Sequence, residues 1–145
     1  MTDFHKKYKR VNRFWQDAEF TLLEDVIIKT YIVGFEYEDD YAKLDKYGNL
    51  TVKKGFYFGA SGCTFDTESC RLAACIHDAL YWISQCGGFR RTYDDHTPDD
   101  FAIRLEADMI FYDLCIDNGM YVWRANLWLH FLRRYGKKAW KADPE

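Results

Sequence analysis

The spacing of the apolar positions divides the chain into two parts, with the change between residues 62 and 66. In the first part, short runs rich in β-branched and aromatic residues are separated by polar and glycine-containing turns; they lie at 20–33, 41–45 and 50–58. Runs of this kind are typical of β-strands, and Gly48 predicts a hairpin turn at residues 47–49. We therefore predict three or four antiparallel strands in a β region over residues 19–62.

Apolar residues in the second part recur at helical spacing and predict a first helix that begins at Asp66 or Thr67. Its apolar stripe follows the positions i, i+3, i+4, i+7, i+8 and i+11, which are Leu72, Cys75, Ile76, Ala79, Leu80 and Ile83. Gly87 and Gly88 are expected to end this helix, because glycine commonly follows the last helical residue.

Two further helices follow, and capping residues mark their ends. Thr97 at the cap and Pro98 at the first helical position begin the second helix, which Asn118-Gly119 ends. The third helix ends before Gly136 and carries large apolar residues at successive i+4 steps, namely Trp123, Leu127, Phe131 and Tyr135. A small β region followed by three packed helices is an α+β fold.

The length of 145 residues is that of one ordinary domain, and we predict a single domain over residues 1–145. Residues 1–18 are expected to form a basic amino-terminal arm, and residues 66–140 the helical region. Five cysteines without a C-x-x-C pair and a polar amino end predict reduced thiols, no secretory signal peptide and a cytoplasmic location. No apolar run approaches the ~20 residues that a membrane span needs.

The charge balance favours no class of partner, because 20 basic and 23 acidic residues give a net charge of −3. Nucleic acid is therefore not favoured as a partner, and a basic face that binds nucleic acid, with an affinity that falls steeply with salt, is a third alternative function. Basic residues cluster near the carboxyl end, at Arg133, Arg134, Lys137 and Lys138. The first interpretation of this cluster is a solvated face, and the alternative is peripheral contact with an anionic surface.

Candidate chemistry centres on His77-Asp78, the one His-Asp dipeptide of the sequence. His77 lies at the edge of the first apolar stripe, whereas Asp78 points about 100° away toward the preceding loop. Asp108 lies at the margin of the second helix's stripe, so antiparallel packing would bring it to His77. A carboxylate on one ring nitrogen leaves the other to take a proton from water, which makes a general-base pair. The alternative is a buried structural histidine beside an Arg104–Asp108 helical ion pair.

An ordered set of short motifs resembles the phage and prophage family called "domain of unknown function 1353". The motifs are Gly55-Phe56, Gly59-Ala60-Ser61, Ala73-Ala74, His77-Asp78-x-Leu80-Tyr81, Arg104-x-x-Ala107-Asp108-x-x-Phe111 and Gly136-x-x-Ala139-Trp140. The resemblance spans residues 20–140, although Gly62 follows Ser61 where the family usually has proline. It implies phage origin, in the cytoplasm of an infected host cell or in a virion, and implies no chemistry.

The His-Asp-x-x-Tyr motif is also similar to that of the secretory phospholipase A-two enzymes, in which it follows a glycine-rich calcium loop. This second resemblance implies that His77 activates water, that Asp108 orients the His77 ring and that Tyr81 supports this pair by hydrogen bonding. It further implies a calcium ion held by Asp78 and by backbone carbonyls of three loop residues, Tyr57, Gly59 and Ser61. The substrate it implies is a phospholipid or another ester. Unlike those enzymes, this sequence has few cysteines and a loop with less glycine.

Other functions remain open beside this one. A non-catalytic phage protein, either a virion component or a module that binds a host factor or anti-defence ligand, needs none of this chemistry. Structural zinc is disfavoured because Cys70 and Cys75 do not share a helix face and no second ligand pair completes four ligands. A cysteine nucleophile paired with His77 lacks a recognisable activating context. The charged segment 89–96 is interpreted as a lid or as a simple connector.

Overall fold

The computed structural model describes residues 3–12, 19–59, 68–89 and 100–141. Strands in the first half and helices in the second confirm the predicted α+β class. The strands are β1 (Tyr8–Arg10), β2 (Glu19–Leu22), β3 (Val26–Lys29), β4 (Tyr37–Glu38), β5 (Ala42–Leu44), β6 (Asn49–Val52) and β7 (Tyr57–Gly59). The helices are α1 (Glu68–Gln85), α2 (Asp100–Asp117), α3 (Val122–Tyr135) and α4 (Lys137–Lys141).

The strands form two antiparallel sheets, with the orders β1-β2-β7 and β3-β6-β5-β4. The predicted hairpin joins β5 and β6, and Gly48 has a φ of +92° there. A Cβ at Gly48 would lie 2.5 Å from the Thr30 carbonyl oxygen, so glycine is needed for this close approach as well. Runs 20–33 and 50–58 each divide into two strands in different sheets, and β1 and β4 lie outside the three predicted runs, so the described residues contain seven strands rather than three or four.

The amino-terminal segment differs from the predicted basic arm. Tyr8–Arg10 pairs with β2, and Phe4 and Tyr8 are buried in the core. The Arg71 guanidinium donates a hydrogen bond to the Tyr8 hydroxyl at 2.9 Å, which ties the segment to α1. Its many lysines indicated a solvated arm, but the side chains of a strand alternate between two faces, so a charged segment can still bury an aromatic ring.

Helix α1 lies at the centre of the packing, and all six residues of its predicted apolar stripe are buried. Gly87, with a φ of +79°, follows its end as predicted, whereas the predicted start at Asp66 or Thr67 lies outside the described residues, as do Thr97 and Pro98. Cys70 of α1 shares a buried cluster with Cys115 of α2, while Tyr81 meets Asp108. The start of α1 thus lies by the end of α2, and the end of α1 by the middle of α2, so the two helices run antiparallel.

The two carboxyl-terminal helices pack against α1 and α2. Trp140 of α4 is buried, and its ring lies edge-on to Tyr81 with the centroids 4.9 Å apart. Helix α3 packs on α2 through Ala125, which is buried, and through the partly buried Trp128 and Leu132. None of the helices among the described residues is both long enough and apolar enough to cross a membrane.

Candidate functional site

Asp108 is the centre of the candidate site and is fully buried. Its Oδ1 lies 2.8 Å from His77 Nε2 and also accepts a hydrogen bond of 2.8 Å from the Tyr81 hydroxyl. These three residues are the predicted pair and its predicted support, and the antiparallel packing of α1 and α2 brings them together. His77 and Tyr81 meet one carboxylate because residues four apart lie on the same face of a helix.

Two arginines approach the other oxygen of Asp108. Arg133 Nη1 of α3 donates to Oδ2 at 2.9 Å, and Arg104 Nε lies 3.8 Å from the same atom without a hydrogen bond. Arg104 Nη2 instead donates to the carbonyl oxygens of Leu132 and Arg133, at 3.1 and 2.6 Å. Arg104 therefore connects α2 to the last turn of α3, where a cation is favourably placed.

Arg133 differs from its sequence interpretation. The sequence places Arg133 in one basic cluster with Arg134, Lys137 and Lys138, which is interpreted as a surface. In the structure, however, the Arg133 guanidinium points inward and donates to Asp108. The other three residues are exposed. In the adjacent pair Arg133-Arg134, the 100° turn between neighbours sends only one side chain toward the core, and the apolar pattern gave no sign of which one.

The His77 ring is held between aromatic residues and is only 7% exposed. The Tyr81 ring centroid lies 4.1 Å away, and the Phe111 ring is edge-on at 5.5 Å. Because Nε2 faces Asp108, the neutral ring donates through Nε2–H and keeps Nδ1 as an acceptor. His77 Nδ1 lies on the side of Asp78, 4.0 Å from its Oδ1, which is too long for a hydrogen bond.

Asp78 faces β7, as expected for a residue that points toward the preceding segment. Its Oδ2 accepts a hydrogen bond of 3.2 Å from the Gly59 backbone N–H, and its side chain remains 41% exposed. The adjacent chain segment that includes Ser61 lies outside the described residues. Asp78 is thus the accessible carboxylate of the site, whereas Asp108 is its buried one.

The backbone groups of Tyr57 and Gly59 lie along the outer edge of β7, the last strand of the β1-β2-β7 sheet. Leu22 N–H donates to the Phe56 carbonyl at 2.9 Å, and Thr21 pairs with Tyr57 in the neighbouring register position. Since hydrogen-bonded and non-hydrogen-bonded pairs alternate in an antiparallel ladder, Tyr57 and Gly59 direct their backbone groups away from β2. The Gly59 hydrogen bond to Asp78 agrees with this direction. The Tyr57 side chain is exposed and donates to the Glu19 carboxylate instead.

Across residues 3–12, 19–59, 68–89 and 100–141, no group of three or more His, Cys, Asp or Glu side chains is arranged to hold a metal ion. Cys70 and Cys75, the cysteines nearest to a zinc pattern in the sequence, are both fully buried. Burial raises the pKa of Cys75, which disfavours the thiolate that a nucleophile needs. Of segment 89–96, only Phe89 is described, and it stacks on Trp140 at 5.6 Å.

The pKa values of the pair move in opposite directions. Burial by itself raises the pKa of Asp108, but the hydrogen bonds from His77, Tyr81 and Arg133 outweigh it and lower that pKa. Burial by itself lowers the pKa of His77, but the carboxylates of Asp108 and Asp78 outweigh it and raise that pKa. Both shifts favour a charged pair, in which an imidazolium faces a carboxylate.

These shifts predict how stability depends on pH. The lowered pKa of Asp108 contributes stability above its ordinary value of 3.8, and this is lost as the pH falls through the folded value. The raised pKa of His77 contributes stability below its ordinary value of 6.5, and this is lost as the pH rises through the folded value. We expect His77→Gln to lower the urea midpoint more at about pH 5 than at about pH 9. An equal loss at both values, measured with a chelator present, would contradict the charged pair.

Comparisons of the sequence and the structure with known proteins gave no match. No family model matches the chain, and neither the curated proteins nor the solved structures give a significant match. The resemblances to the phage family and to the phospholipases therefore remain predictions that rest on the quoted motifs.

Proposed function

We propose that this protein is a phage-type hydrolase of ester bonds in which His77 acts as the general base. The observation that carries the proposal is the 2.8 Å contact of His77 Nε2 with the buried Asp108, which leaves Nδ1 on the side of the exposed Asp78. Above its raised pKa the His77 ring is neutral, and a base held in this way can take a proton from a water molecule at Nδ1 while Asp108 stabilises the imidazolium that forms. The similarity of His77-Asp78-x-x-Tyr81 to the phospholipase motif supports a phospholipid-like ester as the substrate.

Calcium would be held on the same side of His77. Asp78 supplies a half-exposed carboxylate, the backbone groups of Tyr57 and Gly59 point away from β2, and the Gly59 N–H reaches Asp78 of α1. Calcium accepts six to eight oxygen ligands and readily combines carboxylate, carbonyl and water. In the proposed site Asp78 and the carbonyls of Tyr57, Gly59 and Ser61 would hold the ion. When bound, the ion would polarise the ester carbonyl and stabilise the oxyanion.

The test measures calcium binding and ester hydrolysis separately. We expect calcium to raise the melting temperature of the wild type and to support hydrolysis of phospholipid vesicles, with a chelator abolishing both. Asp78→Asn removes the charge that attracts the cation and should lose both responses. Asp113→Asn, an exposed site on α2, is the control. Hydrolysis that persists with a chelator would remove calcium from the proposal, and no ester hydrolysis under either condition would overturn the proposal itself.

A non-catalytic phage protein is the second candidate. The burial of Asp108 and the 7% exposure of His77 favour it, because a fully paired buried network also serves to fix the packing of three helices. In that case the variants at His77 and Asp108 would change stability and would have no enzymatic activity to change. Under either function, the motifs quoted for the phage family support a location in the infected host's cytoplasm or in a virion.

A further inference from the structure

The outer face of α3 consists of four large apolar residues in one row, Trp123, Leu127, Phe131 and Tyr135. All four are exposed, with Trp123 at 68% and Tyr135 at 65%. The inner side of the same helix is occupied by Ala125, Trp128 and Leu132, which pack on α2. An amphipathic helix normally buries its apolar stripe, so a second apolar row turned to solvent needs a partner.

The charge around this row is strongly one-sided. Residues 118–142 contain no Asp or Glu and six Lys or Arg, whereas the rest of the chain has 14 basic and 23 acidic residues. Arg134 lies on the same side of α3, with its guanidinium 5.8 Å from the Tyr135 ring centroid. Lys137 and Lys138 continue the exposed basic surface into α4. An otherwise acidic protein thus presents aromatic and cationic side chains together at one place.

We propose that the outer face of α3 docks on an anionic lipid surface. Tryptophan and tyrosine are favoured at the boundary between headgroups and acyl chains, and leucine and phenylalanine supply apolar area that enters it. Arginine and lysine beside such a row are attracted by anionic headgroups. A second copy of this chain is a poorer occupant, because it would bring the same positive charge against this face.

The docking face and the candidate site share helix α3. Arg133 follows Leu132 on the inner side of α3 and donates to Asp108, two residues from Phe131 on the outer face. This docking rests on the proposed function for its purpose, because the ester bonds of a phospholipid substrate lie in a lipid surface that the hydrolase has to reach. A protein held through α3 keeps the His77 network at that surface.

The experiment is flotation of the purified chain with vesicles of phosphatidylcholine alone and with vesicles that also contain phosphatidylglycerol. We expect binding to the anionic vesicles to fall by roughly tenfold or more in Trp123→Ala/Leu127→Ala. A similar fall in binding is expected in Arg134→Glu/Lys138→Glu, and added salt should weaken the binding of the wild type to anionic vesicles. Tyr31→Ala/Ile27→Ala, which removes two exposed apolar side chains of the β region, is the matched control and should bind as the wild type does.

The possible results separate the alternatives. Loss in both α3 variants with the control unaffected supports the inference. Equal binding to both kinds of vesicle, or equal loss in the control, overturns it. A wild type that dimerises in ultracentrifugation, becomes monomeric in Trp123→Ala/Leu127→Ala and ignores vesicles also overturns it, because the face is then a dimer interface. His77→Gln should still bind the anionic vesicles. A wild type that binds these vesicles but hydrolyses no ester would refute the proposed function and leave the docking face standing.

Discussion

Replacing Asp108 by alanine is expected to lower the free energy of unfolding by about 3–5 kcal/mol. Asp108 accepts hydrogen bonds from His77, Tyr81 and Arg133, and all of these donors lose their partner at once. Asp108 itself is fully buried, so a donor left there without a partner bears its full desolvation cost. Arg104, which is buried with its Nε 3.8 Å from Asp108, would also lose this negative charge.

The measurement is urea denaturation at neutral pH, with Asp113→Ala as the control. Asp113 is exposed on the same helix, and its loss should change the unfolding free energy by no more than about 0.5 kcal/mol. A loss below about 1 kcal/mol in Asp108→Ala would mean that water replaces the carboxylate easily, in conflict with the buried network.

The network at Asp108 joins three helices that are distant in sequence. His77 and Tyr81 come from α1, Asp108 and Arg104 from α2, and Arg133 from α3. An apolar contact at this place would tolerate small rotations of each helix, whereas hydrogen bonds fix donor and acceptor directions. The same hydrogen bonds that stabilise the packing therefore orient the His77 ring. Substitutions of Asp108 accordingly test both the stability of the fold and the proposed function.

The contact between His77 and Asp108 could be predicted from the sequence because it depends on helix periodicity alone. Each residue lies at the edge of an apolar stripe, and two amphipathic helices in succession commonly pack antiparallel along those stripes. Tyr81 follows by the same rule, since it is four residues after His77. No comparable rule exists for Arg133, which comes from a third helix whose rotation is set by packing on α2.

The strands were harder to predict than the helices. β4 is two residues long, and β1 has three, so neither gives a run that can be told from a turn. Phe20 and Val26 lie in one predicted run, yet they belong to different sheets because the chain bends near Glu24, between β2 and β3. Local patterns report which residues are extended, but the division between two sheets is decided by non-local pairing.

Asp108→Asn is expected to reduce ester hydrolysis by about 10⁴-fold while leaving the protein folded. The amide keeps the size of the side chain, but its nitrogen can donate to His77 Nε2 and so favour the ring tautomer that carries the proton on Nδ1. That tautomer has no acceptor left on the side of Asp78, so it cannot take a proton from water there. Rates on phospholipid vesicles and melting temperatures of the same preparations provide the measurement.

A double-mutant cycle with His77→Gln tests whether the two residues act as one unit. If Asp108 acts only through His77, the double variant should be about as slow as His77→Gln alone, because residues of one catalytic unit are strongly non-additive. Tyr81→Phe, which removes one hydrogen bond to Asp108 and leaves the His77 contact in place, should cost far less. Additive losses in the double variant would show that Asp108 affects hydrolysis by some route other than orienting His77. Full activity in Asp108→Asn would exclude the orienting role that the proposed function gives to this carboxylate.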